Sequence, residues 1–198
     1  FAGIVRSGHR GRRSLYLQRT PVGPRHPARS PRVEGMATLL VVHHSPTDTV
    51  RALTDAVLAG ARHEDIEGVE VVERAALEAS ADDVLAADGY VLVTPANFGY
   101  MSGALKHFFD SLFLQVGGAL ADDGAAGGSG ATGGRRPFGL AVHGRYDTTG
   151  AVRSVLSITG ALPWQQAAPV LELLGDLDDE ALEAGRELGG TVAALLSQ

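Results

Sequence analysis

Three short stretches of this 198-residue chain hold side chains able to do chemistry. In "HHSPTDTVRAL", Ser45, Thr47 and Thr49 set three hydroxyls at the start of an amphipathic segment. Unpaired amides at a helix N-terminus, together with the helix dipole, bind a phosphate without any lysine. Arg51, in the first turn, is placed to assist. The same residues also read as plain helix caps, with Thr47, Asp48 or Thr49 accepting a bond from a backbone amide. The chain has no G-K-[ST] tripeptide, which excludes a P-loop.

The second stretch is "TPANFGYMSGALKHFFD", residues 94–110. It gathers Pro95, Ala96, Asn97, Phe98, Gly99, Tyr100 and Met101 between an apolar run and an amphipathic one. Gly99 lets backbone approach a ligand closely, and Phe98, Tyr100 and Met101 supply surface for a flat, largely apolar ring system. Covering the core or a subunit interface is the other reading of these three side chains. The third stretch is "VHGRYDTTGA", in which His143 and Gly144 precede Arg145, Tyr146 and Asp147. His143 reads as a proton donor, as a hydrogen bond to a ligand carbonyl, or as an ordinary histidine closing a strand.

These stretches need a scaffold, and the hydrophobic pattern supplies one. Continuous apolar runs at 38–43, 69–74, 89–94 and 138–143 read as strands covered on both faces, with a weaker one at 168–173. Helical spacing marks 49–62, 81–87, 102–115, 148–160 and about 178–196. Residues Leu105, Phe108, Phe109, Leu112 and Phe113 form a core-facing stripe on the third helix. Strands alternating with helices predict an α/β domain with a parallel sheet and helices on both faces. In such sheets ligands bind outside the carboxyl ends of the strands, and the three chemical stretches follow strands one, three and four.

Composition bounds the function. No apolar run reaches the roughly 18–20 residues that span a bilayer, so a membrane protein is not expected. Without cysteine, disulfides, thiolate zinc sites and thiol redox chemistry are excluded, and a cytoplasmic location is expected. Residues 1–35 carry eight arginines, four prolines and one acid, a composition that predicts disorder. A nucleic-acid arm and a transit peptide are functional readings of that segment, and a signal peptide fails for want of an apolar central region. A translation start assigned upstream of Met36 is the simplest account, and no nucleic-acid partner is expected. From Met36 onward nine basic and twenty-two acidic residues leave a net charge of −13. Residues 36–198 are expected to form one domain with a glycine-rich surface insertion at 117–136. Within it Gly128–Gly133 spells G-x-G-x-x-G, but a strand follows where a dinucleotide fingerprint needs a helix.

Taken together, the chain from Met36 onward resembles the flavodoxin-fold flavoproteins of the NADPH-dependent FMN reductase and NAD(P)H:quinone reductase group. The segment from Pro95 to Asp110 is similar to that group's Pro-x-x-aromatic-Gly-x-Met-x-Gly-x-hydrophobic-Lys/Arg-x-Phe-hydrophobic-Asp loop. "HSPTDTVRAL" resembles its Ser-x-Thr-Gly-x-Thr phosphate loop, with Asp48 in place of the glycine and Pro46 removing one amide donor. The resemblance implies a three-layer flavodoxin-like sandwich around a five-stranded parallel sheet of order 2-1-3-4-5. It implies FMN as cofactor, with Ser45, Thr47 and Thr49 at the phosphate and Pro95 through Met101 along the isoalloxazine ring. His143 and Gly144 fall in the third flavin loop. Reducing equivalents are expected to pass from NAD(P)H through the flavin to a quinone or similar acceptor, in a homodimer or homotetramer and with no catalytic side chain. The alternatives are a flavodoxin-like electron carrier without nicotinamide chemistry and a flavin-free, non-enzymatic descendant. A phospho-receiver domain of the same topology needs an acidic pair after strand one and an aspartate ending strand three, where this chain has His43-His44 and Thr94-Pro95.

Overall fold

The computed structural model describes residues 35–116 and 135–197, with backbone alone for 113–116. The expectations for residues 1–34, and for 117–134 with the Gly128–Gly133 pattern, lie outside the described residues. In chain order the elements are β1 (Ala37–His43), α1 (Asp48–Ala61), β2 (Val69–Ala75), α2 (Ala81–Ala86), β3 (Gly89–Asn97) and β4 (Tyr100–Met101). Then follow α3 (Gly103–Val116), β5 (Arg136–Gly144), α4 (Thr149–Thr159), β6 (Trp164–Gln166), β7 (Leu171–Leu174) and α5 (Asp179–Ala194).

Parallel pairing gives the order β2-β1-β3-β5-β6, with β7 also on β5, so β6 and β7 are two pieces of one edge strand. This is the expected 2-1-3-4-5 arrangement. The edge strand is broken because its register slips. Phe138 pairs with Gln166 and Ala141 with Leu171, so three steps along β5 face five along the edge. A weak apolar run did not reveal that bulge, and the strand expected at 168–173 is β7 at Leu171–Leu174 with β6 ahead of it. Likewise β5 opens at Arg136, inside the stretch expected to be insertion.

Alternation along the central strands sorts the core. Leu39 and Val41 of β1, Val91 and Val93 of β3 and Ala141 of β5 pack on one face beneath α1 and α5. Leu40, Val42, Tyr90, Leu92, Leu140 and Val142 face the other way, beneath α2, α3 and α4. Each fully buried leucine or valine contributes roughly 1.5–3 kcal/mol, so these runs hold the sheet between its helical layers. On the third helix Leu105, Phe108, Phe109 and Leu112 are buried as their spacing predicts.

Two features fix the layers. At the amino edge of the sheet Tyr90 stacks on Trp164 with ring centroids 4.0 Å apart. Arg136 Nη1 donates to the Tyr90 hydroxyl at 2.8 Å and to Val84 O at 3.0 Å, satisfying a buried phenol. On the opposite layer α1 and α5 touch backbone to backbone. A Cβ on Gly60 would overlap the Arg186 carbonyl, and one on Gly189 would overlap that of Val57. Only glycine permits so close an approach.

Candidate functional site at the carboxyl edge of the sheet

The loop after β1 is tied down on both sides. The His44 amide donates to Val93 O at 3.0 Å, bringing the loop against β3. Thr47 is the N-cap of α1, its hydroxyl accepting a long bond from Val50 N at 3.4 Å. Asp48 is the first helical residue and is exposed. The first amides of any α-helix have no intrahelical partner, which leaves donors at the start of α1 beside the Thr47 and Thr49 hydroxyls. Ser45 is differently engaged. Its Oγ lies 2.9 Å from His43 Nδ1 and 2.7 Å from Thr54 Oγ1, both buried side chains. The Thr54 hydroxyl donates to Val50 O at 3.0 Å. His43 Nε2 in turn lies 3.2 Å from Glu73 Oε1 at the end of β2, and Arg51 Nη1 lies 3.6 Å from the same oxygen. Arg51, read from the sequence as an aid to phosphate, is thus directed to Glu73. Burial, then the Arg51 charge, hold the His43 imidazole below its ordinary pKa against the pull of Glu73 and Asp55.

The second loop is a hairpin. β3 runs three residues past its expected end at Thr94, because β4 folds back on it with Ala96 opposite Met101 and Asn97 opposite Tyr100. The connection is Phe98-Gly99, with φ of 52° and 73°. Two consecutive left-handed residues make the two-residue turn that matches strand twist, and a phenylalanine in the first of them is strained by about 1–2 kcal/mol. Phe98 is fully exposed and Tyr100 about half exposed, while Met101 is buried in the core with the α3 side chains. Pro95 is buried and paired with His143 in β5. The hairpin base is fastened by Ser102, whose amide donates to Thr94 Oγ1 at 3.3 Å and whose Oγ accepts from Leu105 N at 3.2 Å.

The third loop supports the second. A Cβ on Gly150, in the first turn of α4, would overlap the Gly99 carbonyl, so the hairpin tip rests on that turn. A Cβ on Gly144 would stand 2.9 Å from Asp147 O and 3.3 Å from the Ala96 side chain. Asp147 accepts from Thr149 N at 2.9 Å, and this bond lowers its pKa. His143 faces the α1–α5 layer, donating Nε2–H to Gly175 O at 2.7 Å beside β7. Tyr146 is exposed, and Arg145 pairs with Asp176 at 3.0 Å at the surface.

The family model of NADPH-dependent FMN reductases matches residues 38–167, a span that takes in all three loops. The chain belongs to this family. The FMN reductase family and the flavodoxins bind FMN. A flavodoxin from Aquifex aeolicus (strain VF5) is 35% identical over 85 residues, covering 43% of this chain. The match takes in 45% of that flavodoxin, so the chain spans less than half the length of this curated relative. Among solved structures, the Streptococcus pneumonia TIGR4 flavodoxin superimposes with a TM-score of 0.61 at 19% identity, over 80% of this chain and 99% of that one. The WrbA-like flavodoxin from Agrobacterium tumefaciens gives 0.60 at 20% identity, over 81% and 97%. At these identities the superpositions establish the flavodoxin-like fold.

An exposed aromatic ring held on a strained turn, with no described residue packed over it, is the surface a planar ring system needs. The amides of the first turn and two hydroxyls at the start of α1 suit a phosphate, and both lie at the same edge of the sheet. The residues therefore fit the flavin. Thr54 and Glu73 were not singled out in the sequence. Their only signals there are a threonine four residues after a buried valine and a charge at the end of a strand.

Among the described residues, no helix is long and apolar enough to cross a membrane, and no group of three histidine, cysteine or acidic side chains is arranged to hold a metal.

Proposed function

We propose that the chain is an FMN-dependent oxidoreductase passing reducing equivalents from NAD(P)H to a quinone or similar acceptor. The observation that carries this is the Phe98-Gly99 turn, an exposed aromatic platform at the carboxyl edge, in a chain of the FMN reductase family. When bound, FMN supplies the redox chemistry itself, accepting hydride and releasing electrons. The chain's residues bind and orient. Ser45, Thr47, Thr49 and the first amides of α1 take the phosphate. Pro95, Ala96, Asn97 and Gly99 line the ring through backbone, and Phe98 and Tyr100 through their side chains. Met101 acts from behind as part of the core that sets the hairpin, and His143 and Gly144 complete the edge from β5. The exposed faces of Phe98, Tyr100 and Tyr146 leave room for a second planar molecule, nicotinamide or acceptor. Assembly as a homodimer or homotetramer belongs to the same reading.

The test is the visible spectrum of the full chain after adding FMN, followed by NAD(P)H consumption with a quinone. Flavin bands that persist through desalting, with turnover, are expected. A protein that stays colourless and leaves FMN fluorescence unchanged overturns the flavin reading. The sequence identity to a flavodoxin and the −13 charge from Met36 onward favour a second reading, an electron carrier docking on basic partners. It is distinguished by bound FMN with negligible NAD(P)H turnover.

A further inference from the structure

Resting on the flavin reading, we infer that His43 is a phosphate-positioning residue, which takes up a proton from solvent as the flavin phosphate is bound and supplies a cation behind Ser45. Among the described residues, the loop after β1 carries no lysine or arginine, and α1 offers a single arginine in its first turn. The chain's only lysine is Lys106, on α3, and Arg51, in the first turn of α1, is directed to Glu73. What stands behind Ser45 instead is a continuous chain of polar contacts. It runs from Glu73 to His43 at 3.2 Å, to Ser45 at 2.9 Å, to Thr54 at 2.7 Å and to Val50 O at 3.0 Å.

Counting protons along this chain decides its state. Each hydroxyl has one proton to give. Thr54 gives its proton to the Val50 carbonyl, so Ser45 must give its own to Thr54, and His43 must then donate from Nδ1 to Ser45. That leaves Nε2 facing the Glu73 carboxylate, a contact that also needs a proton. All four contacts are satisfied together only when the His43–Glu73 pair holds one proton more than a neutral ring beside a carboxylate. In the ligand-free chain burial and the Arg51 charge work against that proton, and one contact is left short.

A phosphate at the mouth of α1 reverses the balance. Its negative charge favours the imidazolium, and Thr54 can turn its proton from Val50 O to Ser45. With His43 and Thr54 both donating inward, Ser45 Oγ–H is released to donate outward to the ligand. The groups that bear on His43 are Glu73 on β2, Arg51 and Asp55 on α1, and, beside it in the loop, His44, whose own pKa is lowered by burial. Of these only the carboxylates favour the proton, and Glu73 is the one in contact.

The experiment compares FMN with riboflavin, which has the same ring and no phosphate, by calorimetric titration of the full chain in buffers of different ionisation enthalpy. Wild-type protein is expected to take up close to one proton per FMN near pH 7 and none per riboflavin. His43→Gln, which keeps polar contacts but cannot carry charge, is expected to lose the uptake. Its FMN affinity at about pH 6 should fall roughly tenfold while riboflavin affinity holds, a charged hydrogen bond being the stronger kind. The phosphate's own second ionisation, near pH 6, is common to both proteins and cancels in the comparison. Equal proton uptake by FMN and riboflavin in the wild-type protein overturns the inference, whether or not the variant folds, and so does undiminished uptake in His43→Gln. Binding of neither flavin overturns the parent reading, a different outcome from binding of both without the proton.

Discussion

The carbonyl oxygen of Gly99 occupies the space that a Cβ on Gly150 would need. The tip of the β3–β4 hairpin and the first turn of α4 are therefore in direct backbone contact, and a methyl group at position 150 must push one of them away. Gly150→Ala is expected to lower FMN affinity about tenfold and to cost about 1–3 kcal/mol of stability, the range for overpacking a fixed contact. Flavin fluorescence titration and thermal unfolding measure the two. Normal affinity in a protein of normal stability would mean the turn is not held by α4.

Phe98 separates stability from binding. It adopts a φ of 52° with its ring in solvent, so it contributes strain and no core contact. Asparagine tolerates that conformation, and Phe98→Asn should stabilise the ligand-free chain by about 1 kcal/mol. The same change removes a stacking surface and should weaken FMN binding about tenfold, from an aromatic contribution on the order of 1 kcal/mol. Opposite signs in unfolding and titration experiments are the expected result; a loss of both would place Phe98 in the fold rather than in the site.

Gly189 lies against the Val57 carbonyl in the α1–α5 seam. Here no flexible side chain can give way, because the obstacle is backbone. Gly189→Ala is expected to destabilise by about 1–3 kcal/mol despite alanine's better helix propensity, which would otherwise add about 1 kcal/mol. Urea denaturation checks the sign: a stabilised variant would mean the helices can separate freely.

The pH dependence of ligand-free stability follows from two histidines. Burial lowers the pKa of His43, helped by Arg51, and burial lowers that of His44, both from 6.5. The buried Nδ1 of His44 has no hydrogen-bond partner among the described residues. Well above 6.5 both rings are neutral whether folded or unfolded, and they contribute nothing to the slope. Below it the unfolded chain takes up protons that the folded chain binds only at lower pH, so stability should fall as pH drops through that window. His44→Gln should remove part of the slope. Unfolding midpoints from about pH 7 down to about pH 5 provide the measurement, and stability rising toward acid would mean Glu73 dominates His43 even without ligand.

Much of the fold was legible because the central strands are buried on both faces and read as unbroken apolar runs. Leu39–Val42 and Tyr90–Val93 are of this kind, and the stripe from Leu105 to Leu112 marked α3 as plainly. The edge strand was not, since one side of it faces solvent and its two-residue slip has no compositional sign. In the site, the loop around Gly99 was legible as a close-approach feature. The hairpin was hidden, because Phe98 takes a conformation that sequence patterns reserve for glycine or asparagine. Met101 looked like a companion of Phe98 and Tyr100, but strand alternation turns it inward. The Glu73–His43–Ser45–Thr54 contacts join two strands, a loop and a helix, and no local pattern records them.

The glycine seam also sets an order of events during synthesis. α1, which presents the amides and hydroxyls of the phosphate end, rests its inner face partly on α5, which follows every described strand in the chain. A growing chain exposes α1 early, yet the ribosome must make every strand of the sheet before α5 arrives to cover it. The first-made half of the site is thus the last to acquire its support. A nascent or C-terminally clipped polypeptide would display Leu53 and Val57 to chaperones and proteases until α5 docks.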